Sequence, residues 1–198
     1  AASPKSRHRM EFGCDLRKTR AGTIMHRIFL RGSMNVSLIL GHPALGSFNH
    51  AIAGAAIEAL QARGHRCQFH DLYREAFDPV MPSDEIPKDA PLPPAIEQHC
   101  REIGDADGII FVHPNWWSAP PAILRGWVDR VLRPGRAYNF VPDGKGGATP
   151  VGLLKASVGL VFTTANTPHD KEVQLFGDPL QTHWLKVVFG LCGVTETE

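Results

Sequence analysis

The stretch Val36-Ser37-Leu38-Ile39-Leu40-Gly41-His42-Pro43, with Ser47 shortly after it, decides the fold of this chain. The apolar run predicts a buried strand, the glycine and proline predict a loop, and Ser47 is a helix-start signal. The helix predicted from about Ser47 to Arg63 is ended by Gly64 and carries small and apolar residues on one face: Ile52, Ala55, Ala56, Ala59 and Leu60. The regular part of the chain therefore begins as strand, loop and helix.

The same alternation continues along the sequence. Further strands are predicted at 65–70, 107–112 and 156–162, and further helices at 94–103, after Pro120-Pro121, and at 179–189. The runs at 107–112 and 156–162 are continuously apolar, which is typical of strands buried on both faces. Strand and helix in alternation predict an α/β protein, a doubly wound parallel sheet with right-handed crossovers and helices on both faces.

Two segments are predicted to be irregular. Residues 71–94 contain six prolines and indicate a long ordered excursion, while residues 134–152 are predicted as a loop rich in glycine and proline. The helix predicted after Pro120-Pro121 has an apolar stripe of Ile123, Leu124, Trp127, Val128, Val131 and Leu132. Its cationic side chains, Arg125, Arg130 and Arg133, are expected in solvent.

Composition excludes several classes of protein. The 198 residues are 43% hydrophobic and 21% charged, and no apolar run reaches the 18 residues of a membrane span, so we expect a soluble globular protein without membrane insertion. Residues 1–33 carry eight basic and two acidic side chains, whereas residues 34–198 carry 13 basic and 18 acidic ones. A net negative body argues against nucleic-acid binding.

The basic first segment, residues 1–33, lacks the apolar core and cleavage site of a secretory signal. We interpret it as a disordered leader, vector-derived or translated from upstream sequence, with a basic targeting peptide as the alternative. Residues 34–198 would then form one domain that starts at Met34. The four cysteines show no CxxC spacing, which favours reduced thiols in the cytoplasm, with a redox sensor as the alternative.

Three loops follow the predicted strands at their carboxyl ends, where parallel sheets bind ligands. The first, 41–49, runs into a helix N-terminus, which attracts anions, and Ser47 and Asn49 add polar groups that suit a phosphate. Ser47 is equally explained as a helix cap. Neither GxGxxG nor a P-loop motif is present.

The second loop, 113–119, contains the adjacent tryptophans Trp116 and Trp117. A planar aromatic ligand explains both indoles, since flat rings stack on them; burial in the core is the alternative. The third loop, 163–168, offers the hydroxyls of Thr163 and Thr164 and the amide of Asn166, which could complete the rim of the same pocket.

Together these residues resemble the NAD(P)H:quinone oxidoreductase family, which includes DT-diaphorase, the modulator of drug activity B and ancillary subunits of potassium-efflux systems. The resemblance is carried by 42–49, by Asp71-Leu72-Tyr73 with Phe77-Asp78-Pro79, and most specifically by 113–131. It implies a flavodoxin-like sheet of strand order 2-1-3-4-(5). Because little follows the last helix, the fifth strand is expected to be truncated or absent.

The resemblance also implies a two-electron enzyme with a bound flavin, either FAD or FMN. NAD(P)H would reduce the flavin and leave before a quinone is reduced, and the active sites would lie at the interface of a homodimer. By analogy His42, Ser47, Phe48 and Asn49 would hold the flavin phosphate side; Pro114, Asn115, Trp116 and Trp117 would line the isoalloxazine ring; Thr163, Thr164, Ala165 and Asn166 would form the opposite rim; and Tyr138 and Phe140 would meet the substrate.

The sequence departs from the family in the third loop. Family members often have Thr-Thr-Gly-Gly there, followed by a tyrosine and a histidine that are proposed to relay protons, whereas here Ala165-Asn166 follow the threonines. Phe176 best matches the histidine position and no tyrosine matches, so we assign no catalytic acid or base, and no metal. An electron carrier, a redox-sensing regulatory subunit of a transport system and an azo-dye reductase remain alternatives.

Overall fold

The computed structural model describes residues 32–198. The central sheet is parallel and contains β1 (Asn35–Leu40), β2 (Arg66–Asp71), β3 (Gly108–Pro114), β6 (Val158–Thr164) and β7 (Glu196–Thr197), in the order β2-β1-β3-β6-β7. This is the predicted doubly wound order. Cys14 and nearly all of the segment interpreted as a leader lie outside the described residues, so that interpretation stays a prediction.

The fifth strand of the sheet, β7, has two residues. Glu196 pairs with Val158 and Thr197 with Gly159, which places it beside the amino-terminal half of β6. The fifth strand, expected to be truncated or absent, is thus present as a short strand.

Helices cover both faces of this sheet. They are α1 (Phe48–Gln61), α2 (Pro94–Asp105), α3 (Ala122–Val131), α4 (His169–Phe176) and α5, residues 179–192, whose middle part Thr182–Phe189 is π-helical. One core packs Leu38, Leu40 and Ile110 against α1, and the other packs Ile39 and Phe111 against Trp127 and Trp184. Among residues 32–198, no helix is both long and apolar enough to cross a bilayer.

The segment predicted as a loop at 134–152 contains an antiparallel hairpin of β4 (Tyr138–Pro142) and β5 (Ala148–Gly152). The loop prediction is wrong there because both strands are largely exposed and lack the alternation of a half-buried strand. The hairpin turn is closed by Asp143, whose Oδ1 accepts the N–H groups of Lys145 and Gly147 at 2.7 and 2.9 Å. Helix α4 is not predicted either, since its largely polar sequence has no wide apolar face.

The expectation that all three arginines of α3 lie in solvent is also wrong. Arg125 is exposed, but Arg130 and Arg133 are buried. They are buried because Glu85 and backbone carbonyls of the proline-rich excursion surround their guanidinium groups. The excursion is thus tied to α3.

Candidate functional site

The first of the three loops at the carboxyl edge of the sheet ends at Ser47, which is the N-cap of α1. Its Oγ accepts the backbone N–H of His50 at 3.3 Å, so the cap interpretation is correct. The first turn of α1 contains no acidic residue, and Phe48 is exposed there. The positive end of this helix is therefore open to an anion.

Asn49 and Thr164 join the first loop to the third. The Asn49 side chain is 2% exposed and donates from Nδ2 to Thr164 Oγ1 at 2.9 Å. The second loop reaches the same residue, because Asn115 N–H donates to the Thr164 carbonyl at 2.7 Å. Asn49 Oδ1 is buried and has no hydrogen-bond partner among the described residues. A buried unpaired oxygen at this junction is a ready acceptor for a ligand N–H or O–H group.

The two tryptophans lie in a tight turn of the second loop. Trp116 and Ala119 exchange both backbone hydrogen bonds at 3.1 Å, and the two central residues, Trp117 and Ser118, have φ values of 57° and 54°. Two adjacent positive φ values are those of a two-residue hairpin turn. The Trp117 side chain is 100% exposed and Trp116 is also exposed, with its ring 6.4 Å from that of His42. Burial in the core, the alternative for these residues, is therefore wrong.

Glu172 of α4 holds this turn from the other side. Ser118 Oγ donates to Glu172 Oε1 at 2.5 Å, and the Glu172 side chain is buried. Sequence reasoning missed this residue because α4 itself was not predicted. A polar helix that begins soon after a ligand-binding loop is the signal that could have found it.

His113, at the end of β3, is fully buried beneath the second loop. Trp184 Nε1–H donates to its Nε2 at 2.9 Å, so the proton of the ring lies on Nδ1 and is donated to the Pro114 carbonyl at 2.8 Å. Burial lowers the pKa of His113 to about 4, against a smaller opposing effect of the Pro114 hydrogen bond. His113 is therefore a neutral structural support of the site.

A cleft of about 300 Å³ opens beside the second and third loops. Asn115, Thr163 and Ala165 lie on one side of it, and Leu180 and Trp184 of α5 lie on the other. Pro114 is buried and Asn166 is exposed, and neither of them lines the cleft. The cleft therefore brings together Asn115, Thr163 and Ala165 of the predicted set, whereas Thr164 and the two tryptophans do not line it.

Tyr138 and Phe140, the predicted substrate residues, lie elsewhere in the described chain. Tyr138 lines a different cavity, of about 320 Å³, together with Val128 and Val187, and Phe140 is exposed on the hairpin with its ring 5.7 Å from that of Tyr138. Neither residue lines the cleft. Their contact with a substrate stays a prediction.

A chain of hydrogen bonds connects the first loop to the end of β2. His50 Nδ1 lies 2.8 Å from Ser47 Oγ, and His50 Nε2 lies 3.2 Å from Oδ2 of the buried Asp71. Asp71 Oδ1 accepts the backbone N–H of Arg74 at 3.3 Å. Sequence reasoning did not single out His50, and it named Asp71 only as part of the family resemblance. The two residues lie on different elements, α1 and β2, so no local pattern connects them.

A second polar cluster lies on the other face of the sheet, where His70, Glu75 and His99 offer atoms close enough to share a metal ion. Trp127 Nε1–H donates to His99 Nδ1 at 3.1 Å, so the neutral His99 ring carries its proton on Nε2, the atom that faces Glu75 at 3.5 Å. A proton at this position blocks metal ligation by His99.

His70 in this cluster lies between two carboxylates, Glu75 at 3.0 Å and Glu102 at 2.8 Å. Burial alone would lower the pKa of His70, but the hydrogen bonds and charges of Glu75 and Glu102 outweigh it and raise the pKa. Burial would raise the pKa of Glu75, but hydrogen bonds from His70 and His99 lower it to about 2. The cluster is therefore a network of ion pairs and hydrogen bonds in which the carboxylates of Glu75 and Glu102 pair with His70. Such mutual pairing of the charges suits a structural role.

Comparison with known proteins agrees with this architecture. The family with a flavodoxin-like fold matches residues 34–198. An uncharacterized NAD(P)H oxidoreductase of Haemophilus influenzae is 35% identical over 169 residues, which cover 83% of this chain and 81% of that protein. The NAD(P)H dehydrogenase (quinone) 1 of Cavia porcellus is 34% identical over 122 residues, which cover 52% of this chain and 44% of that protein. The chain thus matches less than half the length of the second relative.

Among solved structures, the NAD(P)H:quinone oxidoreductase of Methanothermobacter marburgensis superposes with a TM-score of 0.73 at 27% identity, covering 84% of this chain and 85% of that one. The match to the family extends from Met34 through all three loops to the end of the chain. The chain belongs to the family with the flavodoxin-like fold, and its resemblance to NAD(P)H:quinone oxidoreductases is confirmed.

Proposed function

We propose that this protein is an NAD(P)H-dependent flavoenzyme that reduces quinones. The observation that carries the proposal is the junction at Thr164, where Asn49 and Asn115 bring three loops together beside an open helix N-terminus and two exposed indoles. An anion site next to a flat apolar surface suits a ligand with a phosphate at one end and a planar ring at the other. A flavin has that composition.

The residues present fit a flavin. Ser47 and the free N–H groups of α1, near His42 and Phe48, would hold the phosphate, and the unpaired Asn49 Oδ1 would accept a ligand hydrogen bond. Trp116 and Trp117 would lie against the ring, with Pro114 and Asn115 beneath it. The threonines Thr163 and Thr164, with Ala165 and Asn166, would face its polar edge.

When bound, the flavin supplies the two-electron chemistry between NAD(P)H and the quinone. The protein's own residues orient the ring and keep the site in one shape. His113 stays neutral beneath the second loop, and Glu172 fixes the Trp117–Ser118 turn through the Ser118 hydroxyl. Whether the flavin is FMN or FAD depends on contacts beyond the phosphate next to Ser47.

A homodimer is part of this proposal. Tyr138 and Phe140 do not line the cleft of their own chain, so they would reach a quinone only across a subunit interface. Exposed apolar side chains are available for such a contact, among them Phe140, Val141 and Val151 of the hairpin.

The thiols of Cys100 and Cys192 are buried and free, which fits a reducing compartment such as the cytoplasm.

The test is to load the purified protein with flavin, release the cofactor by heat, and identify it by mass. NAD(P)H oxidation is then followed with a small quinone as acceptor. Turnover well above the protein-free background is expected. Flavin binding without turnover would contradict the enzyme and favour an electron carrier or regulatory subunit, and failure to bind any flavin would overturn the proposal altogether.

A matched pair of variants ties the test to the junction. Thr164→Val removes the hydroxyl that accepts from Asn49, and Thr149→Val makes the same change on the exposed strand β5. We expect less flavin per chain in the first variant and normal loading in the second. Equal loading would contradict the assignment of the junction.

A further inference from the structure

We propose that His50 is a positioning residue that takes up one proton when the phosphate of a flavin binds at Ser47, and that Asp71 holds its ring in place. The proposal rests on the proposed function, because it concerns the phosphate end of the same site. It goes beyond that function by coupling cofactor binding to a histidine that does not itself meet the ring of the cofactor.

The distances assign a donor or acceptor role to each ring nitrogen of His50. Asp71 is buried and its Oδ2 lies 3.2 Å from His50 Nε2, so Nε2 carries a proton and donates it to the carboxylate. His50 Nδ1 lies 2.8 Å from Ser47 Oγ. In the neutral ring Nδ1 has a lone pair, so it must accept the hydroxyl proton of Ser47.

This arrangement is unsuitable for a phosphate. Ser47 Oγ already accepts the backbone N–H of His50 at 3.3 Å, and its own proton points to the ring of the same residue. A phosphate oxygen at the helix N-terminus would therefore meet serine lone pairs. Two acceptors facing each other repel.

Protonation of His50 at Nδ1 reverses the second hydrogen bond. Nδ1–H then donates to Ser47 Oγ, and the hydroxyl proton of Ser47 is free to donate to the phosphate. One proton is taken from solvent for each phosphate bound, and no covalent bond changes other than the new N–H bond. The imidazolium also adds a positive charge next to the anion.

The charges around His50 support this coupling. Asp71 at the end of β2 favours the imidazolium, and Arg74 in the following turn offsets part of that charge, with its Nε 3.7 Å from Asp71 Oδ2. The positive end of α1 opposes protonation, and the His42 ring lies 6.1 Å away on the first loop. A bound phosphate supplies the negative charge that shifts this balance towards the imidazolium.

A second observation indicates that a ligand occupies this end of the helix. Asn49, next to His50, is 2% exposed and its Oδ1 has no partner among residues 32–198. A buried amide oxygen left unpaired is unfavourable, and a ligand donor would remove that cost. Asn49 Oδ1 can accept only from a ligand N–H or O–H group, such as a hydroxyl next to the phosphate, whereas the Ser47 hydroxyl is the group that would meet the phosphate itself.

The experiment is titration calorimetry of the flavin-free full chain with FMN, FAD and riboflavin in two non-phosphate buffers of different ionisation enthalpy. Near pH 7 we expect proton uptake with FMN and FAD and none with riboflavin, which lacks the phosphate. Between pH 8 and pH 6 the affinity for FAD should rise several-fold, with a limit of about tenfold per pH unit for one fully coupled proton, while riboflavin affinity stays flat.

Two variants complete the test. His50→Gln keeps a neutral side chain that can donate and accept but does not titrate, so proton uptake with FAD should disappear and FAD should bind less tightly while riboflavin is unaffected. Asp71→Asn should move the pH midpoint of FAD affinity to lower pH, because the imidazolium loses its carboxylate. Melting curves confirm that both variants fold.

The outcomes separate this inference from the proposed function. Equal proton uptake with FAD in wild type and His50→Gln overturns the role of His50 while leaving flavin binding intact. Proton uptake with riboflavin equal to that with FAD overturns the phosphate coupling. Failure of all three flavins to bind wild type overturns the proposed function and this inference together.

Discussion

Arg130 and Glu85 form a two-point ion pair in the interior of the protein. Arg130 Nε lies 3.0 Å from Glu85 Oε2 and Nη2 lies 2.5 Å from Oε1, and the two residues are 5% and 2% exposed. Arg130 Nη1 also donates to the Asp78 carbonyl at 2.6 Å. The pair therefore fastens the proline-rich excursion to α3, the helix that directly follows the tryptophan-bearing loop.

Removal of Glu85 should be strongly destabilising. Glu85→Gln leaves the Arg130 charge buried without its carboxylate, and breaking one partner of a buried pair costs about 3 to 5 kcal/mol. Urea unfolding followed by circular dichroism measures the loss. The control is Asp129→Asn, which breaks the exposed pair with Arg125 and should cost less than about 1 kcal/mol. Equal small losses in both variants would contradict the importance of the buried pair.

Gly126 of α3 should not tolerate a side chain. A Cβ atom there would overlap the backbone of Pro79, which lies in the excursion that Arg130 fastens. Gly126→Ala should cost about 1 to 3 kcal/mol through overpacking despite the better helix propensity of alanine. Gly54→Ala in α1 is the matched control, because a Cβ at Gly54 meets open space and the change should be neutral or stabilising. Thermal melting of both variants checks the difference.

Trp116 and Trp117 should matter for flavin and not for folding. Both are exposed, so Trp117→Ala should leave the melting temperature of the flavin-free protein unchanged. Stacking or edge contact contributes about 0.5 to 1.5 kcal/mol beyond area burial, so flavin affinity should fall by at least about two- to tenfold in fluorescence-quenching titrations of each alanine variant. Trp117→Phe should lose less. Unchanged affinity in both alanine variants would remove the indoles from the site.

His113 should make the protein less stable in mild acid. Its pKa is lowered to about 4 in the folded state, so between about pH 6.5 and pH 4 the unfolded chain binds a proton that the folded chain does not. Stability from this group is therefore complete above pH 6.5 and decreases by about 3 kcal/mol as the pH falls to 4.

The matching experiment compares wild type with His113→Gln by urea unfolding at pH 7, 5.5 and 4. Glutamine keeps an acceptor for Trp184 and a donor for Pro114 but does not titrate. The variant should lose less stability on acidification than wild type does. His169→Gln, a change at an exposed residue, should retain the wild-type pH dependence. Parallel curves for wild type and His113→Gln would contradict the assignment.

Much of the fold and part of the site could be predicted from local patterns. The apolar runs at β1, β3 and β6, the cap at Ser47 and the glycine at position 64 act within a few residues, and they were sufficient for the alternation of strands and helices and for the three loops. The strand order was implied by the family resemblance and is the order observed. That the three loops share one edge of the sheet followed from a rule about parallel sheets, whereas the Asn49–Thr164 hydrogen bond was found only in the structure. The sequence-based predictions were wrong or missing for segments whose conformation depends on distant partners, such as the hairpin and α4.

The sequence by itself determined the alternation of strands and helices and the doubly wound sheet that follows from it, because hydrophobic periodicity is encoded locally. Only the tertiary structure decided that Arg130 and Arg133 are buried, that Tyr138 lies outside the cleft, and that Ser47, His50 and Asp71 form one hydrogen-bonded chain. Each of these depends on residues far apart in sequence. A charged or polar side chain is buried only where folding brings a partner to it, and no local pattern specifies that partner.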